Sequence, residues 1–242
     1  MSTGTPPPVD DAMAAADLPA EPVPVSAAGS AVRSALLLGG FTVVFTALMA
    51  LTYDATREPI KASVEARRLE LIGQVLPPSE YDNVLLRDRV TLPALSALGV
   101  NGPVDLYRAR LGERPVALVF ETQAPDGYSG AIRLLMAVRA DGNLAGVRVI
   151  AHKETPGLGD YIDPAKDRSR PEWIRQFQAR NTTDAASWTV RKDGGDFTYR
   201  AGATISARAV IRAAGRAAAA IAPMRDALFA LPAGADAREV FQ

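Results

Sequence analysis

The sequence predicts an α+β protein, with a single N-terminal transmembrane helix followed by one mixed α+β domain. Three observations carry this. Ser34 to Tyr53 runs for twenty residues without a charge. Residues 104–150 hold strand-length runs of alternating polarity separated by turn signals. Ser206 to Ala222 is Ala-rich and stops at Pro223, as a helix would.

Taken in order, residues 1–30 are rich in Pro, Ala, Ser and Gly, with acids at Asp10, Asp11, Asp17 and Glu21. No apolar period runs through them, so they cannot offset their ordering entropy and read as a disordered tail. Residues 31–53 follow as the transmembrane helix. Twenty uncharged residues at 1.5 Å rise make about 30 Å, the thickness of a bilayer's hydrocarbon core. The run starts too late and is too long for a cleaved signal peptide. Small residues four apart (Ala35 and Gly39; Thr42, Thr46 and Ala50) suit close helix packing.

Residues 54–242 read as one domain. From Ile60 the pattern becomes an amphipathic helix, with Ile60, Val64, Leu71 and Val75 near one face and Arg67, Arg68 and Glu70 opposite, ended by Pro77-Pro78. Val104 to Arg110 pairs with Val116 to Thr122 across Gly112. Ile132 to Arg139 turns at Asp141-Gly142 into Leu144 to Ile150. Trp188 to Arg191 is a further short strand.

Composition narrows the chemistry. Lys plus Arg and Asp plus Glu are 27 each, so no basic surplus points to nucleic acid. Cysteine is absent and His152 is the one histidine, which excludes disulfides, thiol catalysis, iron–sulfur ligation and His-rich zinc sites. Such a chain is either no catalyst or one whose chemistry a cofactor carries.

Two loops hold the candidate site. In His152 to Asp160, Gly157 and Gly159 let the backbone approach a flat ligand, and Glu154 and Thr155 offer hydrogen-bonding groups around Pro156 and Leu158. The bland alternative is an ordinary polar turn. Ala201 to Ser206 opens the Ala-rich helix, where unpaired N–H groups and the dipole favour a phosphate. Gly202 and Ala203 leave room, Thr204 and Ser206 add hydroxyls, and Arg208 adds a charge. A plain N-cap is the alternative there.

Together the loops resemble one family. Gly127-Tyr128-Ser129-Gly130, Asp141-Gly142, Gly146 to Val149, His152 to Asp160, Trp173, Phe177, Gly194-Gly195, Phe197 and GATISARAV (Gly202 to Val210) look like the FMN-binding domain of the G subunit of the Rnf electron-transport complex. The anchor helix, the amphipathic helix and Tyr81-Asp82-Asn83 fit it too. The resemblance covers roughly residues 30–225.

The resemblance implies FMN joined through its phosphate to the hydroxyl of Thr204, installed from FAD by a separate flavin transferase. It implies that Glu154, Thr155, Pro156, Gly157, Leu158 and Gly159 lie against the flavin, with Tyr128, Ser129, Gly202, Ala203, Ser206 and Arg208 also binding it. The protein would be a membrane-anchored electron carrier in a complex that couples ferredoxin/NAD electron transfer to ion movement, with the other membrane and soluble subunits as partners and no independent turnover. Two family positions differ: Ala201 stands where Ser or Thr is usual, and Thr198 where Asp is usual, with Asp193 and Asp196 close by. The C subunit of the sodium-translocating NADH:quinone reductase shares both motifs and is one alternative; a cofactor-free membrane-tethered assembly module is another.

Orientation is read two ways. Arg33 precedes the anchor while Arg57, Lys61, Arg67 and Arg68 follow it, which on charge alone leans the domain toward the cytoplasm. The resemblance places it in the periplasm of a bacterial inner membrane, with the tail cytoplasmic. Long domains cross largely regardless of flanking charge, so the resemblance takes precedence.

Overall fold

The computed structural model describes residues 27–169, 171–182 and 187–241. The expected tail lies outside these up to residue 26, and residues 27–30 open the first helix. The described residues divide into two units, one up to Pro59 and one from Ile60.

Helix α1 is Ala27–Gly73, 47 residues. It contains the charge-free run, whose apolar side chains are exposed. Among the described residues it is the one helix long and apolar enough to cross a membrane. The expected amphipathic helix is therefore no separate element, because Pro59 is accommodated inside α1. Its expected apolar face holds only at its C-terminal end, where Leu71 is partly buried and Val75 buried. Ile60 and Val64 are exposed, whereas Ile72, Val75 and Leu76 are buried. The helix ends at Gly73, before the prolines; Pro78 instead starts a 3-10 turn, Pro78–Glu80.

The second unit is built on a five-stranded antiparallel meander: β1 (Arg89–Leu92), β2 (Val104–Leu111), β3 (Arg114–Gly127), β4 (Gly130–Arg139) and β5 (Leu144–Ala151), in that spatial order. Leu106 faces Phe120 across β2 and β3, and Phe120 faces Met136 across β3 and β4. Alternation along each strand feeds two cores. Leu106, Leu118, Phe120, Leu134 and Met136 pack under helix α2 (Thr204–Ile221), which contributes Val210, Ile211, Ala214 and Ile221. Ala109, Ala117, Val119 and Ala137 point to the other face, where Ile72, Val75 and Leu76 lie on them. Those small side chains permit a close approach.

Trp188 to Arg191 forms no strand. Val190 makes an isolated bridge to Phe197, and Arg191–Asp193 is a 3-10 turn. Irregular segments bond to the outer strands, along β1 and at the first residue of β5. Residues 234–237 bond to β1 through Thr91 N–H to the Ala235 carbonyl and Ala237 N–H to the Thr91 carbonyl, both 2.9 Å. Ala179 N–H donates to the Leu144 carbonyl of β5 (2.9 Å), and Leu144 N–H to that of Arg180 (3.0 Å).

Arg108 ties the end of the chain to the sheet. It is buried on β2, and its Nε donates to Asp88 Oδ1 at 2.7 Å. Its Nη1 donates to the carbonyls of Leu228 (3.1 Å), Phe229 (3.3 Å) and Leu231 at the end of helix α3 (Arg225–Ala230). These are the orphan acceptors that any helix terminus must satisfy. Arg110 holds the other Asp88 oxygen at 2.8 Å. Arg108→Leu is expected to cost about 3 kcal/mol, since it strands buried acceptors. Denaturant unfolding of the detergent-purified protein checks this; a loss below that of the exposed Arg114→Leu would contradict it.

Candidate functional site

The start of α2 comes together with the 152–160 loop. The hollow between them measures about 260 Å³ and is lined by Tyr128, Glu154, Thr155, Leu158, Gly159, Gly202, Ala203, Ile205 and Ser206. Eight of these nine are residues the sequence singled out; Ile205 is the addition. Thr204 is half-buried as the first residue of α2, between Ala203 and Ile205. Pro156 and Gly157 form the exposed crown of the loop and do not line the hollow.

Glu154 organises the site. It is buried, and two segments converge on its carboxylate. Oε1 accepts the Ser129 N–H of the β3–β4 turn at 3.0 Å, and Oε2 accepts the Ser206 hydroxyl of α2. Its own N–H donates to His152 Nδ1 at 3.1 Å. Ser129 thus contributes its backbone, and the Ser206 hydroxyl is already committed. The packing leaves no slack: a Cβ on Gly159 would sit 2.6 Å from Ser206 Oγ and 2.8 Å from Glu154 Oε2.

Helix α2 begins without a side-chain cap; Ala203 occupies the N-cap position. Gly202, at φ +83°, lets the chain turn into the helix, a conformation strained for any other residue. The first-turn N–H groups are therefore left to solvent or to a ligand. Arg208, expected to add a charge, is already paired. Its guanidinium makes a two-point contact with Asp193, at 2.6 and 2.7 Å. That pairing holds the Asp193 carboxyl below its ordinary range.

The stretch leading to Thr204 is pinned from below. Trp173 Nε1 donates to the Thr198 carbonyl at 2.6 Å, and Thr198 N–H and Oγ both donate to Gln176 Oε1 at 2.7 Å. Thr198 is thus an anchoring point of this stretch. Asp193 and Asp196, the nearby acids, are taken by Arg208 and by Arg180 respectively. Tyr161, Trp173, Phe177 and Phe197 form a chain of ring contacts at 4.8–5.5 Å beneath. Burial pushes the Tyr161 phenol up, so it stays a donor, to the Ala203 carbonyl at 3.3 Å.

Asp167 completes the support. It is buried, accepts the Trp173 N–H at 2.5 Å and the Ser169 N–H at 2.9 Å, and pairs with Arg200. Burial opposes its ionisation, but the hydrogen bonds and Arg200 prevail and hold its carboxyl below the usual value. A depressed carboxylate pKa contributes stability above the unfolded value, about 3.9, and loses it as pH falls through the folded value. Acidification below about pH 4 is thus expected to loosen residues 198–203. Asp167→Asn should flatten that acid limb in thermal melts from pH 6 to 2.5; an unchanged limb would exclude Asp167 as its source.

These features suit a flat, anionic cofactor. Exposed Tyr128, Leu158 and Ile205 offer apolar surface beside the hollow, and the uncapped helix start offers N–H groups for a phosphate. Residues 127–219 match the family model described as FMN-binding domain, and residues 27–75 that of the RnfG N-terminal region. The chain is 45% identical over 190 residues to the G subunit of the ion-translocating oxidoreductase complex of Pseudomonas aeruginosa, covering 78% of this chain and 87% of that protein. For its counterpart in Shewanella amazonensis the identity is 39% over 212 residues (86% and 95% covered), and for that in Yersinia pestis 41% over 202 residues (83% and 94%).

Proposed function

Since the chain belongs to the family of G subunits of the ion-translocating oxidoreductase complex, we propose that it is the flavoprotein electron carrier of such a complex and holds FMN in phosphoester linkage to Thr204. The observation that carries the linkage is the uncapped start of α2, with Thr204 as its first residue beside the hollow.

Bound FMN would supply the redox chemistry that this chain's side chains lack. The residues themselves hold and orient. Thr204 provides the ester oxygen. The first-turn N–H groups and the dipole of α2 stabilise phosphate charge. Glu154 fixes the loop against the helix by joining Ser129 and Ser206. Tyr128, Leu158 and Ile205 flank the ring position. Arg208 steadies α2 through Asp193.

Residues 31–53 anchor the protein in a bacterial inner membrane, and residues 54–242 form the FMN-binding domain on the periplasmic side. A flavin transferase installs the cofactor from FAD, and the remaining membrane and soluble subunits exchange electrons with it in ferredoxin/NAD-linked ion transport. Intact mass of the chain co-expressed with an active transferase tests the reading. The expected increment is one FMN less water, with a fluorescent band on a denaturing gel. An unmodified chain beside a modified control substrate would overturn it.

A further inference from the structure

A second hollow, of about 750 Å³, lies on the C-terminal half of α2. That volume is in the range of ligand and anchor pockets. Trp188, Gly215 and Ala219 lie along its apolar floor, while Arg212, Arg216 and Arg225 stand around it with one carboxylate, Asp141. The indole is fixed against the helix, since a Cβ on Gly215 would meet its ring atoms at 3.0 Å. The buried Trp188 Nε1 has no hydrogen-bond partner among the described residues.

The arginines are unequal. Arg212 pairs with Asp126 at 2.9 Å. Arg225 donates to the carbonyls of Ala140 (2.8 Å) and Ala222 (2.7 Å). Arg216 is exposed and has no carboxylate partner among the described residues. Arg208, Arg212 and Arg216 follow one another four residues apart on α2. Like charges at that spacing repel and cost a helix some stability, which an external anion at Arg216 would relieve.

We propose that this groove docks an acidic segment of another protein of the complex. An apolar side chain of that segment seats on the floor formed by Trp188 and Ala219, and a carboxylate meets Arg216. The charge of the lining sets the sign of the partner. Trp and Arg are also the side chains that most often dominate protein–protein contacts. Ala219 lies fifteen residues beyond Thr204, about 22 Å along the helix axis, so the docked segment leaves the flavin hollow open. The inference rests on family membership and stands independently of the Thr204 linkage.

The test uses the full chain expressed with the rest of its complex, carrying the photo-crosslinker p-benzoylphenylalanine in place of Ala219. The expected product joins it to an Asp- or Glu-containing peptide of another protein of the complex. Arg216→Glu is expected to lower that yield about tenfold, Arg216→Lys to preserve it, and covalent flavin content and thermal stability to stay unchanged in both. Crosslinks confined to lipid or to a second copy of this chain, no crosslink, or a yield insensitive to charge reversal would overturn the proposal.

Discussion

Thr204→Ala is expected to bring covalent FMN to zero. The ester needs a hydroxyl oxygen at the helix start, and the neighbouring one cannot replace it. Ser206 is buried, and its hydroxyl already donates to Glu154. Thr204 is partly exposed at the first position of an uncapped helix, where losing the hydroxyl changes stability by about 0.5 kcal/mol or less. Thr204→Ala should therefore fold like the wild type and carry no flavin, while Thr204→Ser should keep a measurable fraction. Intact mass and denaturing-gel fluorescence read both, with thermal melts as the folding control. Covalent flavin persisting in Thr204→Ala would move the attachment elsewhere.

The second large effect is expected at Glu154. Glu154→Ala leaves the Ser129 N–H and the Ser206 hydroxyl without their shared acceptor, at a cost of about 2–4 kcal/mol. Glu154→Gln restores most of this, because its amide oxygen can still accept from Ser129 while its NH₂ donates to Ser206. The two variants differ from the wild type alike in charge and from each other in packing. With the loop against the ring, the Glu154 carboxylate opposes the arrival of an electron, so both variants should raise the flavin midpoint potential. Spectroelectrochemical titration of flavinylated protein measures it. A potential in Glu154→Gln equal to that of the wild type would remove the loop from the ring's surroundings.

The four long strands were legible because the sheet buries one face in the core that α2 shares, so burial imprints a period of two on residues such as Leu118, Phe120, Leu134 and Met136. Strand β1 escaped notice. Four residues, Arg89–Leu92, are too short for alternation to register, and their partners lie in β2 and in the distant segment 234–237. Trp188 to Arg191 has strand composition, yet its apolar residues serve an aromatic cluster with Phe177 and Phe197. Most of the hollow's lining was readable, since ETPGLGD and GAT are contiguous motifs. The organising role of Glu154 was not. It depends on partners 25 and 52 residues away, a relation that no local pattern encodes. Arg208 likewise reads as a free charge until folding brings Asp193 to it.

The bonds from residues 234–237 to β1 and from residues 179–180 to β5 bear on how this protein avoids association. An open sheet border is a template on which another chain can add a strand, and proteins guard against it by covering the border. Here β1 is already engaged by residues 234–237 of the same molecule, and β5 is engaged at its first residue, Leu144, by residues 179–180. Arg108 is part of that guard, because it fastens the carbonyls just before residue 234. A chain shortened at Leu231 would keep the flavin hollow's residues and lose the cover over β1. Its failing would be self-association through that border, visible as light scattering at rising protein concentration, before any loss of cofactor chemistry.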